Sequence, residues 1–196
     1  SDFKEGIDYV RREPATLSLL VMIMIPAIFV MPFTSGLMPV FAEDVLRAGP
    51  SGLGLLLSAY GVGALVGPLA IATAGDLRRR GGVVIVAGLL TGLTLAAFSQ
   101  LTVLPIAMGV LVVAGAALMV YHAMVNTILQ TITPDAFRGR VMSLYMMDHG
   151  LVPLGSVLAG GLAQAFGAPS AFLVGGAVAT LLVVVAAVRF RSVREL

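Results

Sequence analysis

The residue with the clearest chemical potential in this sequence is Asp148, an acid inside a long apolar segment. Residues 141–188 contain no other charged side chain. Placing a carboxylate in lipid costs about 2.5 kcal/mol or more, so an acid at such a position usually faces a cavity or a partner within the protein. On a helix, Asp148 shares one face with the small residues Gly155 and Ala159, a pattern typical of helix contacts. We therefore expect Asp148 to point into a helix bundle.

Three further polar residues are candidates for the same site: His149, His122 and Asn126. The segments that carry them are joined by a short connection, which predicts antiparallel neighbouring helices and contact among the four side chains. Histidine titrates near neutral pH, so one interpretation is a proton relay or substrate contact. The alternative is structural, with Asp148 capping a kink or pairing with an arginine and the other three residues serving as hydrogen-bonded packing residues.

The elements that position these residues are indicated by four runs, 14–42, 48–75, 81–134 and 141–188, which carry no charge besides Asp148. Their lengths are 29, 28, 54 and 48 residues. A membrane-spanning helix needs roughly 20 apolar residues, so the runs accommodate one, one, two and two spans. The sequence thus predicts an all-α membrane protein with six transmembrane helices at about 15–41, 51–74, 83–100, 106–132, 139–166 and 171–188, preceded by an amphipathic cytoplasmic linker at 1–14.

Prolines and glycines predict the character of the first two spans. Pro26, Pro32 and Pro39 remove backbone donors, so we expect a kinked or broken first helix. Gly63 and Gly67 form a small-xxx-small pattern that lets another helix approach closely.

Basic residues alternate with the predicted spans. Eleven of the 12 lysines and arginines fall on the side of the N-terminus, and Arg47 falls on the other. Because positive loops stay in the cytoplasm, both termini are predicted to be cytoplasmic. Charges grouped at helix ends also argue against a nucleic-acid partner, which needs one continuous basic surface. Six charged residues are either topology anchors or members of a cytoplasmic gate: Asp76, Arg78, Arg79, Arg80, Arg138 and Arg140.

Enzyme chemistry finds little support. The absence of cysteine excludes disulfides and thiol catalysis. Ser156 lacks the glycine two residues later that a nucleophile elbow requires, and no His-Glu-x-x-His motif is present. We predict that the protein is not an enzyme and that it uses no metal or cofactor.

Five motifs suggest a family when they are taken together: EGIDYVRR at 5–12, LMPVFA at 37–42, GLG at 52–54, GVG at 61–63 and TPDAFRGRV at 133–141. They resemble the C-terminal half, helices 7 to 12, of major facilitator superfamily transporters, and most of all the enterobactin-exporter and macrolide-efflux type of bacterial permease. The family's loop motif Gly-x-x-x-Asp-Arg-x-Gly-Arg-Arg is matched at Asp76 but has Leu77 in place of its first arginine.

The resemblance implies two three-helix inverted repeats that form half of a transporter, with substrate bound near the membrane midplane. It implies proton-coupled export of a hydrophobic small molecule, drug or siderophore by alternating access across a bacterial inner membrane. The implied partners are the lipid bilayer, a proton, the substrate, and an N-terminal six-helix half or a second copy. The alternative is an independent six-helix protein, either a homodimeric transporter or a structural or assembly subunit.

Overall fold

The structure, a computed structural model, describes residues 2–73, 75, 79–190 and 193, with side chains from residue 5 onward. All regular structure in these residues is helical. The helices are α1 (Asp2–Arg12), α2 (Pro14–Phe29), α3 (Met31–Val40), α4 (Gly49–Thr73), α5 (Arg80–Phe98), α6 (Leu104–Ile132), α7 (Asp135–Met146), α8 (Val152–Phe166) and α9 (Ala168–Arg189). A π-helical turn, Phe41–Val45, follows α3, and a 3₁₀ segment, Met147–Leu151, separates α7 from α8.

Five helical stretches are long and apolar enough to cross a membrane: Pro14–Val45, which joins α2, α3 and the π-helical turn, and the helices α4, α5, α6 and α9. The span predicted at about 139–166 is helical but interrupted. That segment begins at Asp135 and is divided into pieces of 12 and 15 residues, because the chain tightens into the 3₁₀ segment between them. The count of six spans and the cytoplasmic location of both termini stay predictions.

The first membrane helix is broken, as its prolines predict. The break lies at Val30, between α2 and α3. Pro26 has no N–H to offer the carbonyl of Met22, which stands four residues earlier. Tyr121 of α6 fills this gap, because its hydroxyl donates a 2.7 Å hydrogen bond to the Met22 carbonyl oxygen. The bent helix is thus satisfied by a side chain from a distant part of the sequence.

Close backbone packing joins the unbroken helices. A Cβ atom at Gly63 of α4 would overlap the carbonyl oxygen of Val112 in α6. A Cβ atom at Gly115 of α6 would overlap the carbonyl oxygen of Tyr60 in α4. Glycine is needed here because the two backbones touch, as the small-xxx-small pattern predicts. Similar contacts join α5 to α9, where Gly92 lies against Thr180.

Aromatic contacts hold the two ends of the bundle. At one end Phe41, Phe98 and Phe172 form a buried cluster with ring centroids 4.5, 5.2 and 5.3 Å apart. This cluster ties the end of the first membrane helix to α5 and α9.

At the other end α1 rests on α7. The rings of Tyr9 and Phe137 stack with centroids 4.5 Å apart. Burial, and next the charge of Glu13, raise the pKa of Tyr9 above its ordinary value, while a hydrogen bond with Thr16 lowers it. The tyrosine therefore stays neutral through the physiological range, so the stacked pair does not respond to pH there.

Candidate functional site

Asp148 lies in the 3₁₀ segment between α7 and α8 and is 1% exposed. This confirms that the residue points into the bundle. The segment packs against α2 as well as against α7 and α8. The acid therefore sits where one broken helix meets another.

The two carboxylate oxygens of Asp148 have different surroundings. Oδ1 accepts a 2.7 Å hydrogen bond from the backbone N–H of His149 and lies 2.6 Å from the Nδ1 atom of the same residue. Oδ2 is buried and has no hydrogen-bond partner in the described part of the chain. The His149 side chain is 68% exposed, so the pair joins a buried oxygen atom to the surface of this chain.

His122 and Asn126 approach this pair from α6. His122 interacts electrostatically with both Asp148 and His149, and its Nε2 atom is buried without a hydrogen-bond partner among the described residues. Asn126 does not bind Asp148; it forms side-chain hydrogen bonds with Gln130 and Tyr145. His122 and His149 therefore interact electrostatically with Asp148, whereas Asn126 is linked to it through Tyr145.

Tyr145 is a member of the site that the sequence analysis did not include. It is 8% exposed, interacts electrostatically with Asp148 and connects the acid to Asn126. A signal was present, because residues three apart on a helix are neighbours and Tyr145 precedes Asp148 by three.

The candidate gate residues fall into two groups. Asp76 and Arg78 lie outside the described residues, while Arg79 is exposed and Arg80 begins α5. Arg138 and Arg140 form the second group, and both contact neighbouring elements from the first half of α7.

Arg138 pairs with Asp135 at 2.7 Å, and its Nε atom donates a 3.2 Å hydrogen bond to the Gln130 carbonyl of α6. Arg140 pairs with Glu5 of α1 at 2.8 Å and lies over the ring of Phe137. These contacts fasten α7 to its neighbours on both sides. Whether they open during a cycle stays a prediction.

The chemistry that this site supports is proton binding. Within the described residues, no group of three or more His, Cys, Asp or Glu side chains is placed to hold a metal ion. A carboxyl group in direct contact with an imidazole is an arrangement that can hold a proton, and the buried Oδ2 atom of Asp148 has no hydrogen-bond partner among the described residues.

The exposed faces of the helices differ in polarity. In α5 and in α9 before Arg189, every exposed side chain is apolar, as at Leu90 and Leu181. By contrast, exposed polar residues occur on α6, at Thr127 and Gln130, and on α8, at Ser156. An apolar face suits lipid and a polar face suits water or protein, so α6 and α8 are suited to line a pathway.

Membrane-length helices, a buried acid at a helix break and polar residues on α6 and α8 together define a transporter-like membrane bundle. The chain belongs to the transmembrane secretion effector family of the major facilitator superfamily, whose model matches residues 1–196. It is therefore a multi-pass membrane protein of a transporter family.

A curated relative supports an efflux role. The chain is 30% identical over 193 residues to the multidrug efflux pump Tap of Mycolicibacterium fortuitum. The match covers 98% of this chain and 46% of that pump, so the chain spans about half the length of the relative. No solved structure matches it.

Proposed function

We propose that this chain forms the C-terminal half of a proton-coupled exporter of a hydrophobic small molecule, drug or siderophore, which works by alternating access in a bacterial inner membrane. The observation that carries the proposal is the buried carboxyl group of Asp148, with one oxygen paired to His149 and the other without a partner. The efflux pump Tap supports the direction of transport, since its name records outward movement.

Asp148 is the proton-binding residue in this proposal. An ionised carboxyl group without full hydrogen bonding is costly in a low-dielectric interior. The conformation seen here therefore favours a proton shared between Asp148 Oδ1 and His149 Nδ1, which are 2.6 Å apart. When the site opens to water the proton leaves, and the ionised acid then favours the open state. Proton binding and conformational change are linked because the free energy of ionising Asp148 differs between the buried and the water-exposed state.

His149 supplies the route for the proton. Its ring touches the buried Oδ1 atom of Asp148 and is 68% exposed, so the ring reaches from the bundle interior to the pathway surface. His122 stands on the opposite helix with a buried, unpartnered Nε2 atom. We assign it the role of stabilising the negative charge of Asp148 when the acid is ionised, and we assign Asn126 the role of orienting Tyr145.

The helix breaks supply the movement. Asp148 lies in a 3₁₀ segment that also contains Gly150 and is followed by Pro153, and that segment packs on α2, which ends at the break at Val30. Short 3₁₀ stretches within a helix often mark hinges. A change in charge at Asp148 thus acts on two jointed helices at once.

Six charged residues form the cytoplasmic gate in this proposal: Asp76, Arg78, Arg79, Arg80, Arg138 and Arg140. The ion pair between Arg140 and Glu5, and that between Arg138 and Asp135, are surface contacts of the kind that break at little cost. An N-terminal six-helix half supplies the opposite wall of the pathway.

The test is transport by the full-length protein in liposomes with an imposed pH gradient and the fluorescent dye ethidium as the probe. Asp148→Asn should abolish the gradient-driven part of export, because the amide cannot bind and release the proton. His149→Gln should reduce it in part. Asp8→Asn is the matched control, since this acid is exposed on α1 outside the site and the gate, and it should leave export unchanged. Unchanged gradient dependence in Asp148→Asn would refute the relay.

A second measurement addresses the missing half. Liposomes that contain this chain alone should show no proton-coupled export, because one half supplies one wall. Export by the isolated chain would instead support a homodimeric transporter, the alternative architecture. Proper folding of each variant is checked by its elution from size-exclusion chromatography.

A further inference from the structure

A long apolar groove runs along the outside of the bundle between α4 and α5. Its floor is the α6 face formed by Val113, Ala116, Ala117 and Val120, and its volume is about 570 Å³. These floor residues follow the helical spacing i, i+3, i+4, i+7 and have small or short side chains, so α6 leaves the space open. Within the described residues, the groove walls between the arginine end and the opposite end are apolar.

One end of this groove is basic. Arg79 lines the groove itself. Arg80 lines an adjoining cavity of about 290 Å³, which shares Ile71 and Val120 with the groove and also contains Thr127. A hydrocarbon-lined channel therefore opens, at one end, into a polar space that carries guanidinium groups.

The dimensions of the groove correspond to one leaflet of a bilayer. It extends along α5 from Arg79 to Leu90. Eleven residues of helix span about 16 Å at 1.5 Å per residue, and half of a hydrocarbon core of about 30 Å is about 15 Å. An acyl chain lying in the groove would thus place its phosphate group at the level of the arginines.

We propose that this groove binds an anionic phospholipid, with an acyl chain over the α6 floor and the phosphate group at Arg79, the basic residue that lines the groove. A groove of this kind within a membrane must be filled by hydrocarbon or by another protein surface. The guanidinium groups at its mouth favour an anionic lipid over a zwitterionic one, since basic pockets at the cytoplasmic ends of membrane helices bind such head groups. The positive-inside rule predicts that this end lies at the cytoplasmic leaflet, where anionic lipids are found.

The competing occupant is a protein surface, such as the other half of the transporter. The apolar exposed face of α5 argues against it. Val86 and Leu90, which line the groove, are 57% and 42% exposed, and the neighbouring Leu93 on the same helix is 54% exposed. Exposed polar residues also occur outside the groove, as at Gln130 of α6 and Ser156 of α8. Lipid is thus the occupant that the surface chemistry favours.

The absence of tryptophan from this chain permits a direct test. A single tryptophan is introduced by Val86→Trp in the full-length protein, with any tryptophan outside this chain replaced by phenylalanine. The protein is reconstituted in phosphatidylcholine with added phosphatidylglycerol, one of which carries brominated acyl chains that quench tryptophan on contact. Leu181→Trp on α9 is the matched control, because it is 60% exposed and lies eight positions from Arg189, as Val86 lies seven from Arg79.

We expect brominated phosphatidylglycerol to quench the fluorescence of Val86→Trp more strongly than brominated phosphatidylcholine does at the same mole fraction. The difference between the two lipids should be much smaller at Leu181→Trp. Each basic residue near a membrane surface contributes about fivefold to the binding of an anionic lipid, so Arg79→Gln should lower the preference by about fivefold. Addition of free glycerol phosphate should not compete, because the acyl chain contributes most of the binding. Competition by glycerol phosphate would identify a site for a soluble anion and overturn the lipid assignment.

Two further outcomes decide against the proposal. Equal preference at the two tryptophan positions would show that the groove does not select anionic lipid. Protection of the Val86→Trp fluorescence from both brominated lipids would show that a protein surface covers the groove. Ala70→Phe, which fills the groove from the exposed wall of α4, gives an independent check, since it should remove the preference while Arg79 and Arg80 are kept.

Discussion

The molecule has one region of unbroken membrane helices and one region of interrupted helices. In the first, α4 with α6 and α5 with α9 are long, unbroken helices in backbone contact at glycines such as Gly63 and Gly115. In the second, α2 and α3 are separated by a break at Val30, and α7 and α8 are separated by the 3₁₀ segment that contains Asp148. The first region is closely packed along its length, and the second has a buried acid, Asp148, at one of its breaks.

Glycine serves both regions but meets different partners. Gly63 lies against Val112, whose carbonyl belongs to an uninterrupted stretch of α6. Gly155 of α8 lies against the carbonyl of Ile28, to which Pro32 cannot donate a hydrogen bond because proline has no N–H. Packing in the broken region is therefore centred on backbone groups that the prolines have released. In the broken region the glycine contact thus falls on a backbone carbonyl that a proline leaves without its helical partner, whereas in the unbroken region it falls on one within a continuous helix.

The largest effect is expected from Gly63→Ala, which would disrupt the unbroken region. The added Cβ atom meets backbone of Val112, which cannot rotate away, so we expect a loss of about 3 kcal/mol in the free energy of unfolding. Gly109→Ala is the control on α6, where a Cβ atom has open space and should be neutral or stabilising. Thermal unfolding in detergent, followed by circular dichroism, compares the two. Equal melting temperatures would contradict the rigid contact.

The second prediction concerns the joint in α2. Tyr121→Phe removes the donor that satisfies the Met22 carbonyl, and the free energy of unfolding should fall by about 2 kcal/mol. In a Pro26→Ala background the alanine N–H can satisfy that carbonyl, so the same substitution should cost much less. An identical cost in both backgrounds, measured as a double-mutant cycle, would show that the hydrogen bond does not compensate for the proline.

A smaller effect on stability, with a larger effect on function, is expected from Gly150→Ala. A Cβ atom at this position has open space, and alanine favours continuous helix over a joint by about 0.5 kcal/mol or more. The variant should fold at least as well as the parent and export ethidium more slowly. Gly160→Ala on α8 has equally open space away from the joint and should leave the export rate unchanged. The same rate in both variants would count against a hinge at the 3₁₀ segment.

The smallest effect is expected from Glu5→Gln, which removes the ion pair between α1 and α7. The Glu5 side chain is 60% exposed, so the pair should contribute about 0.5 kcal/mol or less, and high salt should abolish the difference. Asp8→Asn, on an exposed residue of the same helix, is the control. A loss above about 1 kcal/mol that persists in 1 M salt would mean that α1 belongs to the unbroken region.

The sequence predicted the features that depend on composition and spacing. Four nearly charge-free runs indicated a helical membrane protein, and the helix register of Asp148 indicated its burial. The prolines indicated a broken first helix. These succeed because membrane insertion and helix breaking depend on local chemistry, which is readable one segment at a time. The family resemblance, carried by short motifs, is confirmed by the family match.

The site was predicted in part. His149 contacts Asp148 and His122 interacts with both electrostatically, but Asn126 is linked to the acid through Tyr145, which the sequence analysis left out. The sequence allowed a kink beside Asp148, and the structure has a 3₁₀ segment there. Gly150 and Pro153 are compatible with either a kinked helix or a 3₁₀ joint, and the choice depends on how α2 packs against that segment.

The sequence by itself determined that this protein enters the membrane, that its first membrane helix breaks and which acid is buried, because each of these follows from the chemistry of one segment. The tertiary structure decided which groups are paired across segments. Tyr121 satisfies Met22 from 99 residues away, one oxygen of Asp148 is paired while the other is not, and α4, α5 and α6 enclose a groove with Arg79 at its mouth. These depend on how helices distant in sequence come together, which no single segment records.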